Sequence, residues 1–274
     1  PLYLLPKHFL SGLVYRLTRV KIPFIKNSLI NSFIRLFNVD MKEAIKTDAS
    51  DYDCFNAFFI RHLKPEARPC SIDNHAILSP VDGAISQIGT IQQDRLIQAK
   101  GRDYILSALL AGDDSVQDFN NGHFATLYLS PRDYHRIHMP VSGKLIKSVY
   151  VPGSLFPVNN ASVNTVDNLF ARNERFISLF ETELGLMAQI MVGAIFVGSM
   201  ETTWLGQITP TRKRTLAVQE YNKETIELKQ GDEFGHFNMG STVILLFENK
   251  KMNWQESLKE NDSIKVGQVL GKRV

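Results

Sequence analysis

Phe237-Asn238-Met239-Gly240-Ser241-Thr242-Val243-Ile244-Leu245-Leu246-Phe247 reads as a turn entering a buried strand, because Gly-Ser-Thr punctuates the chain just before five consecutive apolar residues. The same dipeptide admits a chemical reading. A serine hydroxyl that reaches the carbonyl of a preceding glycine can attack its own backbone, since glycine offers little hindrance and tolerates strained dihedrals. The residues alone leave both readings open.

Outward from that stretch, residue 77 onward consists of short apolar segments bounded by Gly, Pro, Asn and Asp, with a helix expected at 106–110 as the main exception. Residues 185–209 continue the strand pattern, through Met187-Ala188-Gln189-Ile190-Met191-Val192-Gly193-Ala194 and then Ile195 to Val197, with bulges expected at Gly193 and Gly198. Residues 211–232 are the most polar part of this half, and Thr211-Arg212-Lys213-Arg214 reads either as a solvated basic loop or as a substrate contact. Pro80-Val81-Asp82-Gly83-Ala84-Ile85 is echoed by Pro140-Val141-Ser142-Gly143-Lys144-Leu145, and Val266-Gly267-Gln268-Val269-Leu270-Gly271 has the same turn-and-strand texture. These segments resemble the turns of barrel-sandwich hybrid folds.

The first part of the chain has a different period. Phe9, Leu10, Leu13, Val14 and Leu17, and after Pro23 Leu29, Ile30, Phe33, Ile34 and Phe37, recur at helical spacing, which predicts two amphipathic helices broken near Pro23. Residues 1–39 hold Lys7, Arg16, Arg19, Lys21, Lys26 and Arg35 and no acid, the first carboxylate being Asp40. The cations interrupt both helices short of a membrane span. Basic, acid-free amphipathic helices suit the interface of an anionic membrane, the alternative being that both pack on the protein's own core. Phe55, Phe58, Phe59 and Ile60 predict a core-covering helix ended by Pro65 and Pro69. The fold class is therefore α+β: a β-rich core resembling a barrel-sandwich hybrid over residues 49–274, preceded by an amphipathic helical region over 1–48.

With 274 residues, 44% hydrophobic and 22% charged, the chain has ordinary globular composition, and a net charge of +3 without basic runs interleaved with aromatics argues against nucleic acid. Its two cysteines, Cys54 and Cys70, suggest a reducing compartment rather than a disulfide framework. The start shows no convincing secretory signal, and because it opens at proline, earlier residues are expected to be missing.

Asp82, the pair His135 and His138, and Ser241 could supply an acid, a base and a nucleophile. A serine needs a base to take its proton, and a carboxylate behind the imidazole sets the tautomer. Each residue also has an ordinary reading, Asp before Gly as a turn residue and His near Pro as a hydrogen-bonded structural group. His135 and His138 with Asp133 could be read as metal ligands, but Pro131 and Pro140 argue against a helix, and residues three apart on a strand face opposite sides. No metal is expected, and the two histidines should have different tasks.

Leu129-Ser130-Pro131-Arg132-Asp133-Tyr134-His135-Arg136-Ile137-His138-Met139-Pro140, Phe170-Ala171-Arg172-Asn173-Glu174-Arg175 and Met239-Gly240-Ser241-Thr242-Val243 resemble the signature segments of bacterial-type phosphatidylserine decarboxylases, and the similarity runs over nearly the whole chain. Met239 stands where members commonly have Leu, and the chain stops at Val274 without the acidic tail of some members. The resemblance implies that Ser241 attacks the carbonyl of Gly240 and becomes a covalent pyruvoyl cofactor. Asp82, His138 and Ser241 would be the charge relay for that step, and His135 would serve decarboxylation. The pyruvoyl ketone would form a Schiff base with phosphatidylserine, giving phosphatidylethanolamine and CO2. The partners implied are phosphatidylserine, an anionic membrane surface on the cytoplasmic face of the cell membrane, and the protein's own cleaved small chain, with a homodimer left open. Two other classes remain: a serine hydrolase using the same triad on an external ester, and a non-catalytic binding module, neither of which would cut its own backbone.

Overall fold

The structure, a computed structural model, describes all residues except 1–6, 71, 72, 74, 100, 196–198, 210–214, 223, 224 and 250. The basic loop at 211–214, the expected bulge at Gly198 and the end of the segment from Ile195 to Val197 lie outside the described residues. The longer helices come first and the antiparallel strands after, with short helices at Leu106–Leu109, Asn160–Val163 and Leu169–Arg172 among them, a segregation that fits α+β. Nine strands form the main sheet, whose central run is Gly143–Val151, Arg175–Thr182, Gly185–Val192, Thr242–Phe247, His123–Tyr128 and Gly83–Thr90. Every residue of Thr242–Phe247 is buried, because this β-branched, aliphatic segment lies mid-sheet with strands hydrogen-bonded along both sides.

A four-stranded sheet is built from Gly206–Gln207, Met200–Thr202, Glu233–Phe237 and Arg136–His138 in that order. Smaller sheets pair Arg95–Ala99 with Arg102–Ile105, and Ala76–Leu78 with Val269–Arg273 and Met252–Trp254. The three echoed segments each turn and then enter a strand, at Gly83–Thr90, Gly143–Val151 and Val269–Arg273. Gly83 has a specific reason: a Cβ there would stand 2.2 Å from the Tyr128 carbonyl oxygen, so only glycine lets the Asp82 turn close on the neighbouring strand. The helix expected at 106–110 is Leu106–Leu109. Gly193 is not a bulge; it follows the end of Gly185–Val192, its N–H donating to the Glu174 carbonyl.

Three helices matter for the site: α1 (Lys7–Leu17), α2 (Pro23–Phe37) and α3 (Phe55–Phe59). Asn38 ends α2 in the left-handed region, its N–H returning to the Ile34 carbonyl. Ile30 and Val39 pack with Ala49, Tyr52, Phe55, Phe58 and Phe59 in a second apolar cluster, so the division at residue 48 falls inside a packed unit. The helix expected from 50–69 is shorter than its pattern suggested, five residues flanked by 3-10 turns. Lys26 is buried, donating to the Ala49 and Ser50 carbonyls, and Phe33 and Phe37 turn inward with ring centroids 4.4 Å apart.

α1 is inverted relative to an ordinary surface helix. It buries Ser11, and Thr18 just after its end, and exposes Phe9, Leu13 and Leu17, one stripe at four-residue spacing; Ile22, Phe24 and Leu36 are exposed as well, just before and within α2. No helix among the described residues is long and apolar enough to cross a membrane.

Candidate active site

Gly240 and Ser241 form the crossover between the two larger sheets. Glu233–Phe237 belongs to the four-stranded sheet, Thr242–Phe247 to the nine-stranded one, and four residues carry the chain between them. The crossover is pinned at both ends: the Leu129 N–H donates to the Ser241 carbonyl at 2.9 Å, and the Asn238 N–H to the Ser199 carbonyl at 3.0 Å. Ser241 is fully buried and its Oγ has no hydrogen-bond partner. Thr242 Oγ1 beside it is likewise unpaired, so what distinguishes Ser241 is its place directly after Gly240 at the crossover, where its hydroxyl is not committed to a structural hydrogen bond.

His135 lies against this crossover. Its Nδ1–H donates to the Asp133 carbonyl at 2.9 Å, which leaves Nε2 as the basic nitrogen. That Nε2 is buried, unpaired, and 3.3 Å from where a Cβ on Gly240 would stand. Burial lowers the imidazole pKa to about 3, so the ring is neutral and able to accept a proton at neutral pH. Phe59 of α3 covers it, ring centroids 4.1 Å apart. The end of α3 also grips the turn on both sides, Arg61 donating to the Arg132 carbonyl and Arg136 to the Ile60 carbonyl.

His138 faces elsewhere, as opposite-facing strand positions require. Its Nδ1–H donates to the Gly231 carbonyl at 2.9 Å, and the Tyr134 hydroxyl meets its Nε2 at 3.3 Å. Burial lowers its pKa as well. Asp82 is not behind either imidazole. Its carboxylate takes a forked pair from Arg68 and the Val266 N–H, and Arg68 also binds Glu43. The tautomer-setting role anticipated for Asp82 is filled at both histidines by backbone carbonyls. Asp82 stays close through the backbone, since the His138 N–H donates to the Pro80 carbonyl at 2.8 Å, and its negative charge favours protonation of His138. The structure thus brings His135 and Ser241 to Gly240, and ties His138 to the Asp82 turn without a hydrogen bond from either to Ser241.

An apolar cleft of about 240 Å³ opens directly on Gly240, walled by Phe33 and Phe37 of α2, Phe59 of α3, Val158 and Met239. A polar pocket of about 470 Å³, lined by Ser130, Arg132, Asp133 and Asn160, shares Tyr128 and Asn159 with it. Among the described residues, no group of three His, Cys, Asp or Glu side chains has metal-ligand spacing.

The family model described as Phosphatidylserine decarboxylase matches residues 55–272, and one described as PSD matches residues 1–38. The chain belongs to the phosphatidylserine decarboxylase family. It is 50% identical to the phosphatidylserine decarboxylase proenzyme of Nitrosococcus oceani over 99% of this chain and 90% of that one. Against the proenzymes of Methylococcus capsulatus and Legionella pneumophila the identities are 49% and 47%, covering 98% of this chain and 94% and 95% of theirs. Several site residues of this family member escaped the sequence reading: Arg68, which holds Asp82, Gly231, whose carbonyl orients His138, and the Asn56 and Ser199 contacts to the crossover. Only the glycine carried a signal, as a turn residue.

Proposed function

We propose that the chain cuts itself between Gly240 and Ser241 and then decarboxylates phosphatidylserine to phosphatidylethanolamine and CO2. One observation carries this reading: an unpaired, buried Ser241 hydroxyl and an unpaired, neutral imidazole beside Gly240, in a chain whose relatives are named proenzymes. Attack by Ser241 Oγ on the Gly240 carbonyl carbon converts the amide to an ester and frees the α-amino group. Removal of the α-proton then expels the Gly240 carboxylate, and hydrolysis with loss of ammonia leaves a pyruvoyl group at residue 241. The site fits that group, because residue 241 is buried directly after Gly240, which lines the apolar cleft and lies beside the basic Nε2 of His135. A pyruvoyl group supplies an electron sink for the bond pair released with CO2.

The residues divide as the family resemblance implies. His138 serves as base for processing, giving up its long contact to Tyr134, with Asp82 close enough to favour the cation and Arg68 holding Asp82 in place. His135 works at the substrate: it lies by Gly240, which lines the apolar cleft, where its Nε2 can take the proton that the substrate's ammonium gives up and return it to the carbon that loses CO2. A second reading is favoured by the position of His135 Nε2, 3.3 Å from where a Cβ on Gly240 would stand, and makes His135 the processing base as well. Apolar and polar pockets with a common wall suit an amphiphile, and the exposed stripe of α1 with Arg16, Lys21 and Arg35 suits peripheral binding to an anionic membrane on its cytoplasmic face. After cleavage the small chain remains a partner of the large one, because Thr242–Phe247 is hydrogen-bonded to a strand on each side.

Denaturing mass spectrometry tests the reading. Wild-type protein should give fragments of residues 1–240 and 241–274, the second with a blocked N-terminus, and should release CO2 from phosphatidylserine vesicles. Ser241→Ala should stay whole and inactive. A wild type that remains one chain yet hydrolyses esters would establish the serine hydrolase alternative.

A further inference from the structure

We infer that Asn56 of α3 is a positioning residue for self-cleavage, holding the carbonyl of Asn238 so that the Gly240 peptide is presented to Ser241. The inference rests on the self-processing reading above. Asn56 is 7% exposed, and its Nδ2 donates to the Asn238 oxygen at 3.1 Å across 182 residues of sequence. Asn56 is itself anchored, its N–H donating to the Thr18 carbonyl at 2.9 Å. Asn238, 2% exposed, is held by two further hydrogen bonds, both to Ser199: its N–H goes to the Ser199 carbonyl at 3.0 Å and its side-chain amide donates to the Ser199 hydroxyl.

Between Asn238 and the pinned Ser241 carbonyl lie only Met239 and Gly240. Met239 packs on the apolar cluster of α2 and α3, and Gly240 has no side chain to orient it. The orientation of the scissile carbonyl is therefore set by the two anchors. A peptide plane with both ends fixed has little freedom, whereas one tethered only at Ser241 would sample orientations unsuited to attack. Reaction requires the attacking and attacked atoms near 3–3.5 Å with aligned approach, and an error of about 1 Å can cost 100-fold. Asn56 is the only contact from the helical layer that meets the polar backbone of the crossover among the hydrogen bonds of the described residues.

The test is pulse–chase cleavage of the full chain made by cell-free synthesis, at pH 8 and pH 5. Asn56→Ala should cleave about tenfold more slowly than wild type, the rate equivalent of one modest hydrogen bond. Asn56→Asp has the same shape without the donor, and should be as slow at pH 8. At pH 5 its buried carboxyl, favoured in the neutral form by desolvation, donates again and the rate should recover toward wild type. Asn56→Asp that matches wild type at both pH values, or is equally slow at both, overturns the inference. Where Asn56→Ala does not accumulate folded, Ser199→Ala removes the side-chain anchor on the other flank, and unchanged cleavage there overturns it too. Wild type that never cleaves would instead refute self-processing itself, and this inference with it.

Discussion

Phe24→Ser should detach the protein from membranes without unfolding it. Phe24 is 83% exposed at the start of α2, so its ring contributes almost nothing to the apolar cluster beneath. Burying a phenylalanine side chain yields about 1.5–3 kcal/mol, so immersing this exposed fraction contributes about 2 kcal/mol and its loss weakens vesicle partitioning roughly 30-fold. Flotation with vesicles of graded lipid concentration measures this directly. Leu36→Ser, at 77% exposed, should behave alike. Phe37→Ser should not: that ring is packed against Phe33, and its replacement should lower the melting temperature instead. Charge reversal at Arg16, Lys21 and Arg35 should erase the preference for anionic over neutral vesicles, each cation contributing about 1 kcal/mol, screened over about 10 Å at 0.1 M salt. Unchanged partitioning of Phe24→Ser would refute the assignment and leave the outward stripe of α1 and α2 to another use.

Three other outcomes follow from the site. His138→Ala should block cleavage while His135→Ala cleaves and loses most CO2 release; a His135→Ala chain that stays whole would transfer the processing base to His135. In the uncleaved Ser241→Ala background, stability should fall as pH drops from about 6.5 toward 3, because the unfolded His135 takes up a proton that the folded one, with its pKa lowered to about 3, refuses. His135→Phe should remove that part of the slope, about 2 kcal/mol by pH 5, as read from urea titrations at the two pH values. Arg68→Leu leaves the buried Asp82 carboxylate held by the Val266 N–H without its guanidinium and should destabilise the fold by about 3–5 kcal/mol, an effect that Asp82→Asn in the same chain should partly relieve.

What could be read from sequence divides by the range of the physics. Local periodicity located α1, α2, the 106–110 helix and the buried strand after Ser241, because each is decided by residues within a few positions of one another. It also separated the directions of the His135 and His138 rings, which bond the Asp133 and Gly231 carbonyls respectively, since strand alternation over three residues needs no tertiary information. The direction of α1 was not legible: its pattern has an apolar stripe whichever way it faces, and only the burial of Ser11 and Thr18 shows the stripe turned outward. Lys26 looked like a surface cation and is held by the Ala49 and Ser50 carbonyls. Asp82 looked like the carboxylate behind an imidazole because that is what a triad needs. Its actual partner, Arg68, sits between Ala67 and Pro69 in a stretch with no periodicity to flag it.

If the proposed cleavage occurs, the position of Gly240-Ser241 lets one chain be cut and remain one body. A break within a strand would sever ladder bonds, and a break in an exposed loop would leave Ser241 in water, where an ester or a reactive carbonyl is open to attack. Gly240-Ser241 is neither: it joins an inner strand of one sheet to a central strand of another, so cutting it removes no strand pairing. Both new ends are then held by elements on their own side, Asn238 by Ser199 and Asn56, and residue 241 by Leu129 and the central strand that follows. The energetic consequence is that cleavage relieves a doubly tethered crossover while the core of Thr242–Phe247 between Gly185–Val192 and His123–Tyr128 keeps the small fragment in register. In the proposed processing, residue 241 would therefore exchange its backbone bond for new chemistry while Leu129 and the central strand keep it in place.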